Sequence, residues 1–127
     1  MMAYIKRLQS FTLVGERRGE HDQAAAIGGF IVAEVGRNKI GHIITIDVIE
    51  TARATGLGSR LLAAAEERLR ERACRMVYLE VAVDNQAALG FYKKHKYFVL
   101  KTIPRYYCNG VDAFVLKKDL LPTAADG

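Results

Sequence analysis

Cysteine is scarce in this chain, and the two that occur, Cys74 and Cys108, lie far apart with no metal-like spacing. They read as reduced thiols of a cytoplasmic protein, and no metal site is expected. No apolar run approaches the length that crosses a bilayer, so no membrane association is expected; Met1 to Arg7 is basic and mixed and lacks the core of a signal peptide. Nothing reads as a linker, a repeat or a low-complexity tract. The 127 residues are therefore expected to form a single domain, with its motif-bearing core at about 26–118. His21, His42 and His95 stand isolated along the chain and read as surface or packing residues.

What the chain does have is positive charge, a formal net +5. That balance fits an anionic ligand or partner: a nucleic acid, an acidic surface or a phosphate-bearing cofactor. Nucleic acid is the least supported, because basic and aromatic residues do not interleave on one recognisable surface. The densest cluster, Lys93-Lys94-His95-Lys96, reads as cations near the C-terminal end of a helix.

Strand patterns cover roughly Leu8 to Glu16, Ala26 to Val35 and Lys39 to Glu50, with a turn at Gly36-Arg37-Asn38. The third run is apolar on both faces, as a central, twice-covered strand requires. From Leu57 to about Ala73 the period becomes helical: Leu61, Leu62, Ala65 and Leu69 share one face, while Glu66, Glu67, Arg68, Arg70 and Glu71 fall on the other. Met76 to Val83 returns to strand, and Asp84 is placed to cap a helix from Asn85 to about His95. Tyr97 to Ile103 and Val111 to Leu116 flank a turn with Pro104 and Asn109-Gly110, the pattern of an antiparallel hairpin. One strand-helix-strand crossover among hairpins predicts an α/β (α+β) fold with a mixed, mostly antiparallel sheet.

Between the third strand and the long helix lies Arg53-Ala54-Thr55-Gly56-Leu57-Gly58. Glycines there let backbone approach a ligand, and the first N–H groups of a helix lack internal partners, which suits a phosphate or pyrophosphate. A tight turn with no ligand explains the same glycines. A Walker loop is excluded, because Gly58 is followed by Ser59-Arg60; a dinucleotide fingerprint is excluded by Leu61.

Further motifs stand downstream: Leu79-Glu80-Val81, then Asn85-x-x-Ala88-x-x-Phe91-Tyr92, then Tyr106-Tyr107 before a hairpin strand. With the glycine-rich turn, this set resembles in order and spacing the GCN5-related N-acetyltransferases. The likeness is greatest to the branch that acetylates protein N-termini, including the ribosomal-protein alanine acetyltransferases. It implies an acyltransferase that moves an acetyl group from acetyl-CoA to an amine, favoured as a protein N-terminal amine. A small-molecule amine acceptor and a non-catalytic acyl-CoA-binding module or subunit are the alternatives.

The resemblance also implies roles. The pantetheine arm would run beside Ile46, Asp47 and Val48, with a backbone N–H near Val48 polarising the thioester carbonyl. The backbone from Arg53 and Ala54 through Thr55, Gly56, Leu57, Gly58 and Ser59 would hold the pyrophosphate, and Asn85 would bind the cofactor from the second helix. Glu80 would be the general base; a carboxylate within a strand tends to a raised pKa, although the same residue could simply face water. Tyr92 would bind the cofactor and protonate the departing thiolate, which is compatible with a place in the core beside Phe91. Tyr106 and Tyr107 would line the acceptor site, or pack on the hairpin.

Several positions depart from the family pattern. Glu50 replaces a usual proline, Thr55 a second basic residue, and Lys96 the usual glycine after the second helix, where a left-handed cap is wanted. Before Phe11 there is room for little more than a short strand, so the first strand and first two helices are expected to be missing or shortened. A homodimer is one arrangement that would complete the acceptor site.

Overall fold

A computed structural model describes residues 10–17, 26–49 and 55–120. The strands are β1 (Ser10–Arg17), β2 (Ala26–Val35), β3 (Ile40–Val48), β4 (Met76–Ala82), β5 (Phe98–Ile103) and β6 (Ala113–Asp119). The helices are α1 (Leu57–Glu71), between β3 and β4, and α2 (Gln86–Lys94), between β4 and β5. The six strands form one sheet in the order β1-β2-β3-β4-β6-β5. Among the described residues only β3 and β4 pair in parallel; the other neighbours are antiparallel, including the expected β5–β6 hairpin. Sequence analysis thus anticipated the element order, with ends shifted by a few residues.

α1 lies on one face of the sheet. Leu57, Leu61, Leu62, Ala65 and Leu69 are buried against Ile31, Ala33 and Val35 of β2, Ile43 of β3, and Val77, Leu79 and Val81 of β4. Close packing at the middle of the sheet depends on Gly41: a Cβ there would lie 2.7 Å from Leu69 Cδ1, so a side chain on β3 would push the helix away.

Three expectations need correction. The third strand is not covered twice: Ile44, Thr45 and Asp47 are exposed, Ile44 at 49 %. Ile44 is the extra residue of a bulge, since Val32 pairs with Thr45 and Ala33 with Ile43, and an unpaired bulged residue turns out of the ladder. The cap of α2 is Asn85 rather than Asp84; Asn85 Oδ1 accepts from the Ala88 N–H at 3.1 Å. Glu66 does not lie on the solvent face of α1. It is buried, with Oε1 accepting from Lys118 Nζ at 2.9 Å and Oε2 from the Tyr97 hydroxyl at 2.8 Å.

Both helices end in the same way. Cys74 N–H bonds Leu69 O and Tyr97 N–H bonds Tyr92 O, a six-residue closure that needs a left-handed residue just before the donor. Those residues are Ala73 at φ 67° and Lys96 at φ 78°, neither of them glycine. Left-handed backbone costs an L-residue about 1–2 kcal/mol, offset in part by the freedom a glycine loses on folding. Lys96→Gly is therefore expected to stabilise the chain by roughly 0.5–1 kcal/mol, read as a rise of a few degrees in thermal midpoint.

Candidate functional site

β3 and β4 stay together only briefly. Their parallel pairing runs through Ile40–Met76, Gly41–Val77 and His42–Tyr78, while β3 continues to Val48 and β4 to Ala82 without pairing each other. The bulge at Ile44 falls where the strands part and adds to their divergence. A cleft of about 580 Å³ opens on the helix side of this wedge, lined by β3, the start of α1 and one face of α2.

Of the residues singled out for cofactor binding, Ile46, Asp47, Val48, Gly56, Gly58, Ser59 and Tyr92 all line this cleft. Gly56 at φ 82° takes the left-handed conformation that carries the chain into α1, a backbone that favours glycine. The first N–H groups of α1 lack helical partners by geometry, and the first turn carries no acidic residue. Thr55 is exposed, its carbonyl accepting from Arg60 Nη1 at 3.3 Å; the Leu57 side chain belongs to the core. Asn85 does not line the cleft; its side chain is spent on the cap of α2. Arg53, Ala54, Glu50, His21 and the stretch before Ser10 lie outside the described residues.

The cleft suits a long ligand with an apolar arm and an anionic end. Val48, Ala87, Ala88 and Phe91 line it with carbon, while the start of α1 and Lys94 offer donors and positive charge. Ala87, Ala88, Phe91 and Lys94 were not singled out from sequence as binding residues. Their spacing on one face of α2 was the available signal.

Tyr92 is buried, edge-on to Phe91 (centroids 5.1 Å apart) and to Tyr97 (5.6 Å). Among the described residues its hydroxyl has no hydrogen-bond partner, and burial pushes its pKa up to about 12. It is thus fully protonated at neutral pH, with its donor available to the cleft.

On the opposite face of the sheet stands a second group. Val77, Leu79 and Val81 point to the core, so Tyr78 and Glu80 face away from α1. Glu80 Oε1 lies 2.8 Å from His42 Nε2, and His42 Nδ1 lies 3.6 Å from Glu34 Oε2. An ionised carboxylate only accepts, so Nε2 carries the proton in that contact. The His42 ring stacks on Tyr78, centroids 4.3 Å apart and 4° from parallel. His42 is therefore not isolated, contrary to the sequence reading. It was missed because its partners come from β2 and β4.

Tyr106 and Tyr107 meet edge to face at 4.9 Å in the β5–β6 turn. Burial raises the pKa of Tyr107, followed by the charges of Tyr106, Glu80 and Asp84; burial likewise raises Tyr78, followed by Glu80, Glu34 and Tyr106. These influences place the tyrosines, Glu34 and Glu80 in one electrostatic neighbourhood. With Asp84 it carries three carboxylates, a setting that favours a cationic ammonium group.

Among the described residues no cluster of His, Cys, Asp and Glu could hold a metal ion, and no helix is long and apolar enough to cross a membrane.

The family model described as "Acetyltransferase (GNAT) family" matches residues 3–97. A Sulfurisphaera tokodaii protein named N-alpha-acetyltransferase is 37 % identical over 83 residues, which are 65 % of this chain and 50 % of that protein. The chain spans about half the length of several curated relatives that it matches. The crystal structure of Ard1 from Thermoplasma volcanium superposes with a TM-score of 0.73 at 32 % identity, covering 76 % of this chain and 66 % of that one. A chain of the NatC complex, crystallised with Gag peptide and CoA, superposes with a TM-score of 0.75 at 28 % identity, covering 93 % and 79 %.

Proposed function

Because this chain belongs to the GNAT family of acetyltransferases, we propose that it transfers an acetyl group from acetyl-CoA to an amine, with a protein N-terminus as the favoured acceptor. The observation that carries this reading is the wedge between β3 and β4, with Tyr92 on its helix side and Glu80 on the other. The names of the relatives and the CoA and peptide of the NatC structure support it.

Acetyl-CoA, when bound, supplies an activated thioester. The first turn of α1 and Lys94 would hold its phosphates, and Ile46, Asp47 and Val48 would border its arm. Glu80 takes the proton of the incoming ammonium, directly or through water. Oε1 is engaged by His42, while Oε2 has no partner among the described residues. The His42 Nε2–H donates to Oε1 and so orients the carboxylate, leaving Oε2 to take the proton. Tyr92, held protonated by burial, gives its proton to the departing thiolate. Tyr106 and Tyr107 wall the acceptor side.

A carboxylate base also argues for the type of amine. An α-amino group has a pKa of about 7.7–8.0 and a lysine ammonium about 10.4, so an N-terminus asks far less of Glu80.

The test is CoA release from acetyl-CoA, measured with peptides bearing free N-termini and with small amines. Release that requires a peptide acceptor is expected; failure to bind CoA, or no acceptor-dependent release, overturns the reading. In the same assay Tyr92→Phe is expected to lower kcat by roughly 10- to 100-fold with CoA affinity kept within about twofold.

A further inference from the structure

Beside the proposed phosphate site, the last residue of one helical face reaches back to the first turn of the other helix. Ser59 Oγ, in the first turn of α1, lies 2.9 Å from Nε2 of His95, the residue that closes α2. The His95 ring also packs on Phe91, centroids 4.8 Å apart, and Phe91 and Ser59 both line the cleft. The sequence reading of His95 as isolated is thereby corrected.

The chemistry of this contact depends on its direction. A serine hydroxyl has one hydrogen. If it donated to His95, it would present only lone pairs to an anion in the cleft. If Nε2–H donates to Ser59 Oγ, the serine hydrogen is released to donate in turn to that anion. Only the second arrangement lets Ser59 donate to a phosphate at the start of α1.

We propose that His95 is a positioning residue for the donor's phosphates: its Nε2–H holds Ser59 Oγ so that the serine hydroxyl donates to a phosphate oxygen. This rests on the acetyl-CoA reading above. The charged groups that face His95 are Glu66 of α1, Lys94 of α2 and Lys118 of β6. Burial lowers the pKa of His95 below its ordinary value, and Lys94 and Lys118 act in the same sense against Glu66. His95 is therefore neutral near pH 7. Below its titration it adds a positive charge behind Ser59, and donor affinity rises as pH falls.

The experiment compares wild type, His95→Leu, His95→Gln, Ser59→Ala and the Ser59→Ala/His95→Leu double variant. KM and kcat are measured with acetyl-CoA and with S-acetylpantetheine, which lacks the phosphates. A hydrogen bond to a charged group predicts an increase of about tenfold in the acetyl-CoA KM for His95→Leu and Ser59→Ala, with no further loss in the double variant. The kcat at saturation and the S-acetylpantetheine kcat/KM should stay within about twofold. Glutamine offers an N–H but does not titrate, so His95→Gln should keep most of the affinity at pH 8 and lose the gain that wild type shows toward pH 5.5. Comparison between variants removes the titration of the donor's own phosphate. Equal losses with both donors, additive losses in the double variant, or an unchanged pH profile in His95→Gln would overturn the inference. Absence of CoA binding by the wild type overturns the acetyl-CoA reading itself, and with it this inference; wild-type binding with no effect of His95 overturns the inference alone.

Discussion

Glu80→Gln is expected to reduce turnover about a hundredfold or more while leaving the Kd for CoA within about twofold. Glutamine keeps the size of the side chain and can still accept from His42 Nε2, 2.8 Å away from Oε1, so the strand and its neighbours have no reason to move. What is lost is the capacity to take a proton. That cause has its own signature, because an α-amino group with a pKa of about 7.7–8.0 is largely neutral by pH 9. The deficit of Glu80→Gln should therefore shrink as pH rises. A deficit that is the same at pH 7 and pH 9 would argue against a base at this position. His42→Phe preserves the stack on Tyr78 and removes both ring nitrogens. If the two residues work as a unit, adding it to Glu80→Gln costs little more.

The largest effect on stability is expected at Glu66. The residue is 5 % exposed, and its side chain satisfies both the Lys118 ammonium and the Tyr97 hydroxyl. Glu66→Ala leaves a largely buried cation and a buried hydroxyl without their acceptor, at a cost of about 3–5 kcal/mol. The thermal midpoint should fall by roughly 10 °C or more. Glu66→Gln retains an acceptor oxygen and should lose much less. Removing both charged members, as in Glu66→Leu with Lys118→Met, should recover much of the loss, because an uncompensated charge is what makes the single change costly. The site also sets alkaline behaviour. Burial, with Glu66 beside it, pushes the Tyr97 pKa far above its ordinary 10, and burial pushes Tyr92 to about 12. Both groups are neutral in the folded chain, so their contribution is fully present below pH 10. It declines as pH rises above 10, where the unfolded chain ionises first.

Why some of this was readable from residues alone follows from the range of each interaction. The change from strand to helical period at Leu57, and back at Met76, is local, and so were the elements it marked. The glycine-rich turn announces itself because Gly56 needs a left-handed backbone within a few residues of a helix start. Seven of the proposed cofactor residues accordingly line one cleft. Contacts across the chain were a different matter. Glu66 finds Lys118 at a separation of 52 residues, and a charged residue among other charges on a helix gives no hint that it is buried. His42 reaches Glu80 over 38 residues. The apolar run of β3 reads as doubly covered because a bulge at Ile44 changes which side chains face the core without altering composition. At Lys96 the sequence marked the position and the structure supplied the reason: the backbone is left-handed with lysine in place.

The parting of β3 and β4 also bears on how the chain behaves in a crowded solution. A continuous sheet exposes strand edges only at its margins, but a sheet split from one end has two more, facing each other across the wedge. Such edges are templates for an extended segment of another molecule. A ligand seated in the wedge would cover part of that template, so added acetyl-CoA is expected to lower self-association, read by light scattering.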